Sequence, residues 1–337
     1  MSFVAPERRI CVEFLPPAEL RSPAIVRLLV AHRVAPMLAI RPGDDAPALA
    51  ALAPYIDAGL GAAAWPLLSD AEGYWPSSSN VVAFTARVVE LLETARARAL
   101  PLPWVAIDLE PSVNDVRRAV GRSSLGAIPS IAAATLARLD RQRFAHAAEK
   151  FAALHKRIAR AGARTLAIAY PFVSADLWRG SQAMQDLFEA PLGAGWDRRA
   201  IMTYGSLVAG YSHGLLTVED ARWYAYRSLG RLVAAYGPRA GAFVGVVGHG
   251  KLGDEPNYDQ PREIERDVAA ARAAGVGDLG LFGLEGILDR SDPERWLAAF
   301  ADAEPAKPPF RARGEMLHRS IEAGALGVSL LRATIGR

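Results

Sequence analysis

Eight short apolar runs recur along this chain, and helical patterns separate most of them. That alternation limits the fold more than any other feature. The runs are 9–15 (RICVEFL), 36–40 (PMLAI), 61–68 (GAAAWPLL), 104–111 (WVAIDLEP), 165–173 (TLAIAYPFV), 200–207 (AIMTYGSL), 241–248 (GAFVGVVG) and 279–288 (LGLFGLEGIL). Helical patterns are expected over 24–34, 46–58, 81–99, 131–161, 217–236, 261–274 and 294–303. Several carry start or stop signals: Ser22-Pro23, Asn80, Thr217 and Asp292-Pro293 open helices, and Gly59, Gly162 and Gly275 close them. Strands joined by helices pair in parallel. Eight such units over roughly 300 residues match an α/β protein of the (β/α)8 TIM-barrel type, here 8–304. An open doubly wound sheet is the competing arrangement. The run from Gly59 through Gly61 to Ala64 resembles a dinucleotide fingerprint, but it precedes a strand rather than following one, so it is rejected.

After the barrel, 305–309 (PAKPP) reads as a linker. Beyond it Leu317, Ile321, Val328, Leu331 and Ile335 share one helical stripe, which gives a C-terminal helical appendage over 305–337. The stripe is expected to pack back on the barrel. Arg311, Arg313, Arg319 and Arg332 leave a membrane-surface contact open.

With 51% hydrophobic and 22% charged residues the chain is globular. Its net charge of +3 is spread rather than clustered, which argues against nucleic acid as a partner. The single cysteine, Cys11, excludes an internal disulfide and a cysteine-rich zinc site. The first nine residues contain no apolar segment of the secretory kind, and there is no transmembrane run of about 18 apolar residues, so a cytoplasmic location is expected.

The fourth run carries the chemistry. On a strand, residues two apart share a face, so Asp108 and Glu110 point the same way, with Ala106 behind them. Pro111 stops the strand. In a TIM barrel the site forms at the C-terminal strand ends. The tips here are Glu13, Trp65, Asp108, Glu110, Tyr170, Tyr204, His249 and Glu285, with Tyr74 and Trp75 in the loop after the third strand. Rings stack on sugar faces, and carboxylates bind hydroxyls and move protons. The expected partner is therefore a carbohydrate or sugar-like molecule.

Ile107-Asp108-Leu109-Glu110 resembles the tail of DxxDxDxE, the signature of chitinase-type family 18 glycoside hydrolases, and Met202-Thr203-Tyr204 is similar to that family's M-x-Y-D. The resemblance implies Glu110 as general acid, Asp108 as the residue that orients the substrate's N-acetyl group, and Tyr204 as its third support, with the substrate amide as nucleophile. No cofactor and no metal are expected. Pro103 and Ala106 stand where the signature has its first two aspartates, and Gly205 where an Asp follows the Tyr.

Other chemistries stay open. Glu13 or Glu285 could act as a second carboxylate with Glu110. The set Asp108, Glu110, His249 and Glu285 could hold a divalent cation for sugar isomerase or aldolase chemistry. The barrel could also bind carbohydrate without turnover. Beside Asp108, Glu110 is expected to have a raised pKa.

Overall fold

The computed structural model describes residues 7–114 and 139–335, and within them eight parallel strands close a barrel in chain order. They are β1 Glu7–Val12, β2 Ala35–Ile40, β3 Ala63–Pro66, β4 Trp104–Leu109, β5 Arg164–Ala169, β6 Arg198–Met202, β7 Ala240–Gly245 and β8 Asp278–Phe282. Closure is made by β8 against β1, with Arg9 opposite Gly280. The TIM barrel expected from the alternation is the fold, and the open sheet is set aside. The long connection expected from 112 and the start of the helix expected at 131 lie largely outside the described residues.

The outer ring comprises α1 Pro23–Ala31, α2 Asp45–Asp57, α3 Val81–Ala97, α4 Arg141–Arg160, α5 Val218–Tyr236, α6 Pro261–Ala274 and α7 Pro293–Ala301. Local chemistry sets their ends. Thr217 and Asp220 cap the start of α5 reciprocally, Thr217 Oγ1 accepting from the Asp220 N–H at 3.2 Å and Asp220 Oδ2 from the Thr217 N–H at 3.0 Å. Asp292 accepts from the Arg295 N–H at 3.1 Å to start α7. Gly275, left-handed at φ +91°, ends α6. Between β5 and β6 only short helical turns occur, among them Ala183–Leu187.

Seven of the eight apolar runs extend past the ends of their strands, the fifth, sixth and eighth furthest. The eighth stops at Phe282, and 284–288 is a short helix, not strand. Here the backbone crowds the neighbouring loop: a Cβ on Gly286 would lie 2.3 Å from Gly248 Cα. Likewise β5 ends at Ala169 and β6 at Met202, the latter followed by the short helix Gly205–Gly210.

Strand alternation sorts the core into two layers. Ile10, Val12, Val105, Ile107 and Leu109 face outward to the helices. Cys11, Met37, Trp104, Ala106, Leu166, Met202 and Phe243 fill the barrel. Gly280 makes room for the Phe243 ring, whose Cδ1 would lie 2.3 Å from any Cβ there. At the N-terminal end Arg9 is fully buried. Its Nη1 donates to both Asp278 oxygens, at 2.6 and 2.5 Å, its Nε to Gly61 O at 3.2 Å, and Glu7 completes the group. The Trp104 ring lies against Arg9 and Arg164, at 4.4 and 4.1 Å.

The appendage is one helix, α8 Ala312–Ile335, laid across α5. Gly314 meets the α5 backbone, where a Cβ would be 2.3 Å from Asp220 O. Glu315 accepts from Trp223 Nε1 at 3.0 Å and Arg227 Nη1 at 2.8 Å, and Arg332 Nε donates to Asp186 at 2.7 Å. Ile321 and Val328 take the packed face as the stripe implies, but Leu331 is exposed along with Met316, Leu326 and Leu330. No helix among the described residues is long and apolar enough to cross a membrane.

Removing one partner of a buried ion pair leaves the other charge stranded. Asp278→Leu is therefore expected to cost about 3 kcal/mol, the low end of the range because Glu7 still faces Arg9. Urea unfolding measures this, and Arg9→Met combined with Asp278→Leu is expected to recover most of the loss.

Candidate active site

The C-terminal mouth of the barrel opens into a cavity of about 500 Å3. That is ample for a sugar-sized ligand, since small-molecule pockets run roughly 300–1,000 Å3. Its floor carries three carboxyls from two strand ends. Glu13 follows β1, Asp108 sits within β4, and Glu110 follows β4 directly; all three are buried. Asp108 continues the inward row of Trp104 and Ala106, so the pleat of β4 delivers it to the cavity. The Glu110 N–H is fixed by Pro76 O at 3.1 Å, and its Oε2 accepts from the Tyr170 hydroxyl at 2.5 Å. Glu13 Oε1 accepts from the Tyr74 hydroxyl at 2.6 Å.

Burial dominates the electrostatics. It pushes Glu110 to about 7, with the hydrogen bonds from Tyr170 and Asp108 opposing the rise. The raised value was expected, but its cause differs: desolvation lifts Glu110, and contact with Asp108 holds it down. Asp108 goes well above the usual carboxylate range, first through burial and then through the charges of Glu110 and Glu13. Glu13 rises to about 7, again mainly by burial, with Tyr74 countering and Glu285 adding to the rise. Burial also keeps the hydroxyls of Tyr170 and Tyr204 protonated far beyond neutral pH, so both remain donors. Four buried polar atoms of lining residues have no hydrogen-bond partner among the described residues: Trp65 Nε1, Asp108 Oδ1, the Tyr224 hydroxyl and Glu255 Oε2.

Of the residues singled out in the sequence, Glu13, Trp65, Trp75, Asp108, Glu110, Tyr170 and Tyr204 all line this cavity. Two others do not. His249 is exposed on the loop after β7, and its neighbours Gly250 and Lys251 line the cavity instead. Glu285 lies in the helical turn after β8, where its Oε1 accepts from the N–H groups of Glu13, Phe14 and Leu15 at 2.7, 2.7 and 3.0 Å. It acts as a clamp on the β1 exit. Among the described residues no group of three His, Cys, Asp or Glu side chains is arranged to hold a metal ion.

Sequence reasoning missed another part of the lining. Leu207 and Val208 from the short helix after β6, Leu216 before α5, Val246 after β7 and Leu317 of α8 line the cavity, together with Tyr211, Ser212, Tyr224 and Glu255. For Leu207, Val208, Leu216 and Val246 the available signal was branched apolar residues outside any strand or long helix, whereas Leu317 belongs to the stripe of α8.

No family model matches the chain, and no curated protein matches its sequence. Solved structures do. The glycoside hydrolase domain of PgaB (BpsB) from Bordetella bronchiseptica is similar over 88% of this chain and 99% of that one, at 13% identity and a TM-score of 0.50. The Prevotella bryantii endo-beta-mannanase/endo-beta-glucanase PbGH26A-GH5A is similar over 89% of this chain and 48% of its own, at 10% identity and a TM-score of 0.51. At such identities the likeness is one of fold, the TIM barrel. The chitinase type is not singled out.

A carboxyl raised in the folded state stabilises while neutral. Its contribution is complete below the unfolded value and is lost as pH rises through the folded one. For Glu13 those values are 4.5 and about 7, a difference worth roughly 3 kcal/mol. Thermal melts between about pH 5 and 8 are expected to show falling stability, and Glu13→Gln is expected to flatten part of that fall.

Proposed function

We propose that this protein hydrolyses a glycan or related glycoside in the barrel-mouth cavity, with Glu110 as general acid and Asp108 and Tyr204 assisting. One observation supports this above the rest: a buried carboxyl pushed up to about 7 and braced by the Tyr170 hydroxyl at the barrel-mouth cavity. A general acid works best when its pKa lies near the working pH. Trp65 and Trp75 add faces for stacking.

Glu110 gives its proton to the oxygen of the breaking glycosidic bond. In the chitinase-type route the substrate's own acetamido group attacks the anomeric carbon, while Asp108 orients that group and Tyr204 supports it. On substrates without an acetamido group the attacking function needs a second carboxylate; of Glu13 and Glu285, Glu13 lines the cavity while Glu285 is committed to backbone N–H groups. The metal-dependent alternative loses its proposed nitrogen ligand, because His249 lies outside the cavity.

Glu110→Gln keeps the shape and the acceptor for Tyr170 but removes the proton. It is expected to lower kcat by about 10²–10⁴ on chito-oligosaccharides or aryl glycosides. Equal, metal-independent inactivity of wild type and variant, with tight oligosaccharide binding by both, would leave a binding barrel instead. In the active protein the rate is expected to fall as pH rises through about 7, because only protonated Glu110 donates. A pH profile whose upper limb lies two or more units away would remove Glu110 from that role.

A further inference from the structure

Glu13, Asp108 and Glu110 reach the cavity from the ends of β1 and β4, whereas Leu207, Val208, Leu216, Val246 and Leu317 line it from the segments after β6 and β7 and from α8, with Tyr211, Ser212, Tyr224 and Glu255 also in the lining. Aromatic rings stack on sugars, but branched aliphatic side chains offer hydroxyls no partner, and burying hydroxyls against them is costly. This wall suits an apolar segment. It also reaches the surface. Leu215 and Met316, 74% and 67% exposed, are the chain neighbours of the lining residues Leu216 and Leu317. Arg313 Nη1 donates to Leu215 O at 3.3 Å and so ties the two segments together at the rim. Large apolar side chains exposed beside an apolar opening mark a binding surface.

We propose that the site takes an amphiphilic glycoside: the sugar lies over the three carboxyls, and an alkyl or alkyl-aryl aglycone runs along the leucine wall toward Leu215 and Met316. Its cleavage rests on the hydrolase reading above. The bond between the anomeric carbon and the aglycone oxygen breaks. That oxygen leaves as an alcohol carrying the Glu110 proton. Water then gives its hydroxyl to the anomeric carbon and its remaining proton to the carboxylate.

The test uses methyl, butyl and octyl glycosides of N-acetylglucosamine, kept below their aggregation concentrations. Binding to the Glu110→Gln protein is followed by calorimetry, so affinity is read without turnover. Kd is expected to fall with chain length, by up to about fourfold per methylene where burial is complete. Leu216→Asn with Leu317→Asn is expected to cut the octyl-to-methyl ratio at least about tenfold. Leu215→Glu with Met316→Glu, at exposed positions, is expected to weaken octyl glycoside binding more than methyl. A Kd independent of chain length, or ratios unchanged in both double variants, would overturn the proposal. The two readings fail separately. Length-dependent binding without Glu110-dependent cleavage keeps the ligand class and removes the hydrolase. Glu110-dependent cleavage with flat kcat/KM along the series does the reverse.

Discussion

Closing eight parallel strands into a ring forces every second side chain of each strand inward, and the rest of this molecule follows from how that interior is filled. At the N-terminal end Arg9, Glu7 and Asp278 with the Trp104 ring make a satisfied polar plug. Above it small and large side chains alternate, Gly280 yielding to Phe243 and Ala106 leaving space under Asp108. Solid packing below leaves the open volume at the C-terminal end. There the same pleat that buries Trp104 carries Asp108 inward, and Glu110 follows at the strand exit.

Taking three carboxyls out of water is expensive, and the site meets that cost with protons rather than with ion pairs. Burial is the leading cause of the shift at Glu13, Asp108 and Glu110 alike. Two tyrosine hydroxyls then pull against it. Tyr74 donates to Glu13 and Tyr170 to Glu110, and each bond favours the ionised form. The balance settles both acids near neutrality, where a carboxyl can hold a proton or release it. Asp108 receives no such hydroxyl, and burial and the charges of Glu110 and Glu13 all push it upward.

The architecture was legible because its signal repeats. Eight apolar runs, helix caps such as Thr217 with Asp220 and stops such as Gly275 each agree with one topology. The inward pair Asp108 and Glu110 was legible for the same reason, since strand periodicity alone places them. What the sequence hid were the strand ends. Residues such as Tyr170, Tyr204 and Leu207 continue the apolar runs because they line a cavity, and hydropathy does not distinguish lining from strand core. The overshoot at β5 and β6 and the missed leucine wall have this single cause.

Glu13 and Glu285 show where residue type ceases to inform. Both are glutamates near a strand exit, and both suit a second carboxylate. The difference lies in three backbone N–H groups. The turn after β1 aims the amides of Glu13, Phe14 and Leu15 at one Glu285 oxygen, so that carboxylate is occupied as a helix terminus would occupy it. Its fixed negative charge then becomes part of the environment of Glu13, adding to the rise that burial begins. Glu285 thus acts on the chemistry through its neighbour: it shapes the turn that presents Glu13 and helps to keep that residue protonated. No spacing in the sequence encodes this division, because it depends on a contact between residues 272 positions apart.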